Sequence, residues 1–222
     1  MFSNAIVLFS AIGLAAAALV PARAKSGSVS VTPHAQYSSS VGVLGCKIDA
    51  NRVAYWPSSV DCDDICIKIT YGGRSLNVLK VDKSGGAHDI SYDAWNYLNT
   101  GKSATDAPSA GGAVEMDYHF INNSECNGLL TDGGKVPLSA SNSMSFVASC
   151  ASQPESWVAQ NYELFNIVDP ICTIGHDELC SLDVTSNQPS CPHVLGDPVT
   201  LTGSSVVDIP YVTRYTTQQR CF

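Results

Sequence analysis

The chain has 222 residues and a formal charge of −8, yet only 14% of its residues are charged. Phosphate backbones and anionic headgroups repel an acidic surface, which argues against nucleic acid and a charged membrane as partners. A neutral polysaccharide or another protein fits that balance.

Residues 1–24 hold an apolar run from Ala5 to Val20 and then Pro21-Ala22-Arg23-Ala24. Ala22 and Ala24 suit the small-residue positions of a signal-peptidase site, so residues 1–24 read as a signal peptide and the protein as secreted. The run is shorter than the ~20 apolar residues of a membrane span, and no later stretch is apolar enough, so no membrane partner is expected after cleavage. Residues 25–40, rich in Ser, Thr and Val without a helical period, are predicted to be a flexible lead-in.

Val41 to Cys46 is expected to be a short first strand. Ile65 to Tyr71 alternates strictly, with Ile65, Ile67, Ile69 and Tyr71 on one face and Lys68 and Thr70 on the other, the pattern of a half-buried strand. Gly72-Gly73 supplies the positive φ angles of a tight turn, and Leu76 to Asp82 returns as the partner strand. After the link Lys83-Ser84-Gly85-Gly86-Ala87 comes His88-Asp89-Ile90-Ser91. Ser91 is placed as a helix N-cap, and Asp93 suits the positive end of the helix dipole. Tyr92 to Leu98 is predicted to be a short helix burying Trp95 and Leu98. A loop over Asn99 to Gly112 leads to a second alternating strand, with Val114, Met116, Tyr118 and Phe120 inward. Asn122-Asn123-Ser124 is a sequon that marks Asn122 for N-glycosylation. Farther on, Ser143 to Cys150 is expected to be a strand and Trp157 to Phe165 a helix. Thr200 to Phe222 is expected to be weakly ordered, except around Val206 to Val212.

The cysteines are Cys46, Cys62, Cys66, Cys126, Cys150, Cys172, Cys180, Cys191 and Cys221. In an exported chain this density reads as a disulfide framework, with the connectivity open. Nine is odd, so one thiol is left over, assigned here to Cys221. The closest pair, Cys62 and Cys66, lacks a second pair and a nearby His, so no zinc site is expected. Asp61, Asp63 and Asp64 are too few oxygen donors for calcium and read as a solvated acidic loop. No metal and no cofactor are expected.

The order strand, Asp82, glycine turn, His88-Asp89, helix brings two carboxylates to one turn region. On these residues the segment from Cys46 to Cys126 resembles the barwin-like and expansin-like superfamily of double-psi β-barrels, which includes expansins, loosenins, barwin-like endoglucanases and rare lipoprotein A transglycosylases. In that family an HFDLS-type step places one Asp on the floor of an open groove. Here His88-Asp89-Ile90-Ser91 stands in its place, and Asp82 matches the acid that follows the preceding strand. The overall flavour is similar to secreted fungal members. The first loop departs from the family pattern, with one cysteine beside Tyr55 and Trp56, and no expansin-type C-terminal sandwich is apparent. The resemblance implies a mainly-β fold: a six-stranded double-psi β-barrel with short helices over residues 41–128, and a Cys-rich C-terminal extension over residues 129–222.

The resemblance also implies a secreted, monomeric protein of the extracellular space or cell wall that binds and loosens cell-wall polysaccharide without hydrolysis. A lytic enzyme of the endoglucanase or transglycosylase type is the alternative. Hydrolysis takes two carboxylates, with Asp89 and Asp82 the candidates for catalysis. Asp82 is equally a turn residue that bonds backbone N–H groups. A third reading is a structural or effector protein that binds another protein. His88, Tyr55, Trp56 and Tyr92 are the candidate substrate contacts, since an aromatic face suits the C–H side of a sugar ring and Pro57 favours an exposed loop for Tyr55 and Trp56. Their bland alternative is burial in the core.

Overall fold

A computed structural model describes residues 25–211; the expected signal peptide over residues 1–24 and the thiol of Cys221 lie outside the described residues. The barrel strands are β1 (Ser26–His34), β2 (Val53–Trp56), β3 (Cys66–Tyr71), β4 (Arg74–Lys83), β5 (His88–Ser91) and β6 (Val114–Phe120), with helix α1 (Tyr92–Thr100) between the last two. They close in the order β1-β5-β2-β4-β3-β6. β1 runs parallel to β5 and β2 to β4, while the other four contacts are antiparallel. This is a six-stranded double-psi β-barrel, mainly β with short helices.

The hairpin forms where the alternation placed it. Gly72 and Gly73 have φ of 56° and 76°, so the chain reverses in two residues and Tyr71 pairs with Arg74. Ile67 and Ile69 point into the barrel with Val31, Val78, Ile90 and Met116. Helix α1 plugs this interior with Trp95 and Leu98, both fully buried, and the Trp95 indole donates to the Val31 carbonyl at 3.3 Å. The helix ends at Gly101, whose left-handed backbone (φ 81°) lets its N–H reach the Tyr97 carbonyl. Ser91 holds the N-cap position, but its hydroxyl accepts from the Val53 N–H of β2 instead of capping the helix.

Two expectations for the start of the barrel are corrected. The flexible lead-in over residues 25–40 contains β1, in which Val29 and Val31 alternate with serines and Val31 is fully buried. Val41 to Cys46 is not a strand. Gly42 takes φ 79°, Val43 makes a single bridge to Leu138, and Gly45–Lys47 winds into a 3-10 turn.

Beyond the barrel lie β7 (Val136–Ser139), α2 (Met144–Ala151), α3 (Trp157–Gln160), β8 (Tyr162–Ile167), β9 (Gly175–Asp183) and β10 (Gln188–Ser190). They build a four-stranded sheet in the order β10-β9-β8-β7. The expected strand over Ser143 to Cys150 is helix α2. Its apolar residues do alternate, but Val147 and Cys150, one helical turn apart, are the buried ones. The expected helix over Trp157 to Phe165 stops after one turn, because β8 pairs on both sides and buries Leu164 through Ile167 without a break.

The extension packs on one wall of the barrel. Val53, Tyr55, Leu79 and Val81 point outward from β2 and β4 into a second core completed by Leu138, Val147, Val158 and Leu164. Disulfides Cys46–Cys172 and Cys62–Cys150 tie the barrel loops to the extension, Cys66–Cys126 staples the barrel, and Cys180–Cys191 staples β9 to the loop after β10. The opposite wall is open to solvent: Glu115, Asp117 and His119 of β6 are exposed, and so are Ser26, Ser28 and Ser30 of β1, across the ladder from them.

Candidate functional site

Strand register sets the site. Thr32 of β1 lies opposite Asp89 of β5, Asp89 opposite Tyr55 of β2, and Tyr55 opposite Asp82 of β4. These four residues form one row across four strands, on the outward face, because their neighbours Val31, Ile90, Ala54 and Trp56 point into the barrel.

Asp89 is half-buried, with 17% of its side chain exposed. Thr32 donates its hydroxyl to one carboxylate oxygen, and the His34 ring nitrogen lies 3.8 Å from the other. Burial alone would raise this carboxyl, but the nearby His34 ring and the Thr32 hydroxyl outweigh it and hold Asp89 below the usual aspartate range. His34 in turn stacks on Tyr55, with ring centroids 3.7 Å apart. Burial pushes the Tyr55 phenol well up, and its oxygen accepts from the Ser38 N–H at 3.2 Å.

Asp82 stands at the far end of the row. Neighbouring strands are roughly 4.8 Å apart, which sets its backbone about 10 Å from that of Asp89, and Tyr55 intervenes. Its oxygens accept from the Ser40 hydroxyl, from the Lys83 N–H at 2.7 Å and from the Ser38 hydroxyl at 3.4 Å. Asp82 thus pins the loop that follows β1, in keeping with a turn carboxylate.

The aromatic candidates stand differently from the expectation. Tyr55, Trp56 and Tyr92 are 2%, 3% and 2% exposed, so none offers a ring face to solvent. Tyr55 and Trp56 belong to β2, a strand buried on both faces, and Pro57 follows the strand instead of marking an exposed loop. Trp56 points inward with His88, which meets it edge-on at 4.7 Å. His88 and Asp89 are chain neighbours on opposite faces of β5, and burial lowers the His88 imidazole. Tyr92 begins α1 and donates its hydroxyl to the Ser109 carbonyl at 2.8 Å. Asn122 is exposed. Its side-chain oxygen accepts from the Ser124 N–H and hydroxyl at 3.0 and 2.8 Å.

Four residues of the site were missed. Thr32 and His34 had a legible signal in the alternation Ser28-Val29-Ser30-Val31-Thr32. Asp208 and Tyr211 fall in the stretch Val206 to Val212 that is expected to be ordered, but nothing in it signals a place beside Asp89. Asp208 accepts from the Tyr37 N–H at 2.6 Å, and burial raises its carboxyl although Tyr37, His34 and Ile209 act the other way. No group of three or more metal-ligating side chains exists among the described residues, where no helix is long and apolar enough to cross a membrane.

Residues 27–129 match the cerato-platanin family model, a span that runs from β1 past the end of β6. No curated protein matches the chain. Among solved structures, cerato-platanin 2 from M. perniciosa is 16% identical, with 45% of this chain and 98% of that chain covered and a TM-score of 0.34. The solution structure of the fungal elicitor cerato-platanin is 18% identical, covering 48% and 100% at 0.34. Cerato-platanin 3 from M. perniciosa is 16% identical, covering 45% and 98% at 0.35.

Proposed function

We propose that this is a secreted protein that binds cell-wall polysaccharide and loosens it without cleaving a bond, with Asp89 as the sugar-contacting carboxylate. The observation that carries this reading is the placement of Asp89. It stands on the outward face of the barrel, partly open to solvent, with the Thr32 hydroxyl donating to it and His34 beside it, and both act to lower its carboxyl. An ionised carboxylate accepts hydrogen bonds from sugar hydroxyls, and bonds to a charged acceptor are among the strong ones. A hydrolase needs a protonated carboxyl as general acid beside a second carboxylate. Asp89 is tuned the opposite way, and Asp82 is taken up by Ser38, Ser40 and the Lys83 N–H. Acting as an acceptor that competes for hydroxyls between glycan chains requires only one such group, and a net charge of −8 suits a neutral glycan better than an anionic one.

The test is a pull-down of the mature protein on insoluble cellulose, chitin and peptidoglycan, with reducing ends assayed in the supernatant. Wild type is expected to bind one of them and to release nothing. Asp89→Asn is expected to weaken that binding by about tenfold or more, the range for a lost charged hydrogen bond. Release of reducing ends, abolished by Asp89→Asn, would replace this reading with the lytic one. Failure to bind any glycan would leave a protein partner as the ligand to seek.

A further inference from the structure

The segment from Val206 to Tyr211 belongs to neither sheet, yet it is fastened across the barrel beside the carboxylate row. Asn51, in the loop before β2, holds it twice: its amide donates to the Val207 carbonyl at 2.8 Å and its oxygen accepts from the Ile209 N–H at 3.0 Å. Asp208 sits on the Tyr37 N–H, and the Tyr211 N–H donates to the Ala35 carbonyl at 2.9 Å. The Tyr211 hydroxyl donates to the Gly111 carbonyl at 2.7 Å and accepts from the Gly111 N–H at 3.1 Å, while its ring meets Tyr92 edge-on at 4.9 Å.

Three features set this strap apart from ordinary packing. Its polar contacts are made to loops at the barrel mouth, where water or a sugar hydroxyl can replace each of them. The Gly111 N–H and carbonyl, in particular, are one donor and one acceptor met by a single hydroxyl, which any pyranose also carries. Its apolar anchorage is by partly buried side chains only, Val206 at one end and Ile209 and Tyr211 at the other, while Val207 between them is 74% exposed. And docking buries a carboxylate beside the row: Asp208 sits near His34, the neighbour of Asp89, and its burial raises its carboxyl although the Tyr37 N–H, His34 and the Ile209 N–H act the other way. Segments with few buried contacts and replaceable hydrogen bonds are the ones that open first.

We propose that residues 206–211 are a strap in cis that closes the glycan site around Asp89, and that a neutral polysaccharide chain gains the site by displacing it. The proposal rests on the polysaccharide reading above and adds its regulation. A protein whose competent state is only fractionally populated binds with an affinity reduced by that fraction, so loosening the strap raises apparent affinity without any new contact.

The test uses the full mature chain as wild type, Tyr211→Phe and Tyr211→Ala, with binding isotherms on the same insoluble glycans. Amide hydrogen exchange over residues 206–211 is followed with and without soluble cello- and chito-oligosaccharides. Tyr211→Ala is expected to bind at least about threefold more tightly than wild type. Tyr211→Phe, which keeps the ring and loses only the hydroxyl contacts to Gly111, is expected to fall between them. Oligosaccharide is expected to speed exchange at the Ile209 and Tyr211 amides of wild type. Equal binding by all three proteins, weaker binding by the variants, or slower exchange with sugar would overturn the strap and leave the glycan site standing. If neither wild type nor the Tyr211 variants bind any glycan, the polysaccharide reading fails and takes the strap with it.

Discussion

The two walls of the barrel follow opposite rules. On the wall of β1, β6 and β3, strand β6 alternates buried Met116 and Phe120 with exposed Glu115, Asp117 and His119. On the wall of β2 and β4, all four residues of β2 are buried, because the barrel core takes Ala54 and Trp56 and the extension takes Val53 and Tyr55. An antiparallel strand with one wet face writes its orientation into the sequence, whereas a strand covered on both faces is uniformly apolar and carries no sign of which face is which. The candidate site lies where the two walls meet, since its row runs from Thr32 of β1 through Asp89 of β5 to Tyr55 of β2 and Asp82 of β4.

The largest difference between the walls is expected in stability. Leu79 points outward but is 1% exposed beneath the extension. Leu79→Ala is expected to cost about 2–5 kcal/mol in denaturant unfolding, the cost of a core cavity. A loss below 1 kcal/mol would mean that the extension does not seal this wall in solution.

Acid should act next, through a buried carboxylate of helix α1. Asp93, 4% exposed, accepts from Arg52 at 2.7 Å and from the Ser103 hydroxyl and Ala104 N–H at 2.6 Å each. Burial would raise its carboxyl, but these donors prevail and lower it. A depressed folded-state pKa contributes stability that is present above the unfolded-state value and lost as pH falls through the folded one. Melting temperature is therefore expected to drop below about pH 4, and to drop less in Asp93→Asn, which starts lower at pH 7. Parallel pH curves for the two proteins would remove Asp93 as the cause.

The smallest effect belongs to the open wall. Asp117 is exposed and accepts from Ser28 across the β1–β6 ladder. Asp117→Ala is expected to change unfolding free energy by less than about 0.5 kcal/mol, as surface substitutions do. It is also expected to leave glycan binding intact. Loss of binding would move the site from the Asp89 row to this wall.

Legibility followed the same division. Ile67 and Ile69, the Gly72-Gly73 turn, Trp95, Leu98, Met116 and Phe120 were all readable, because each signal is local: a period of two or three to four, or a backbone angle only glycine takes cheaply. Tyr55 and Trp56 were misplaced as exposed aromatics, since nothing near them in sequence announces the extension that buries Tyr55. Met144 to Cys150 shows how a short alternating run serves as a helix when the buried pair falls at i and i+3. Of the candidate site, Asp89 and Asp82 are legible as the two carboxylates flanking one turn, while the residues that surround them lie elsewhere in the chain.

What the sequence determined by itself was the barrel hairpin, the helix that plugs it, the cysteine framework and the His88-Asp89 step, all of them properties of neighbouring residues. Only the tertiary structure decided that Asp89 is held by Thr32 and His34, that Asp82 is spent on a loop, and that Asp208 arrives from the far end of the chain. The reason is physical. A carboxylate's charge state depends on the donors and the burial around it, and those are set by strand register and by packing between segments more than a hundred residues apart, which no local pattern encodes.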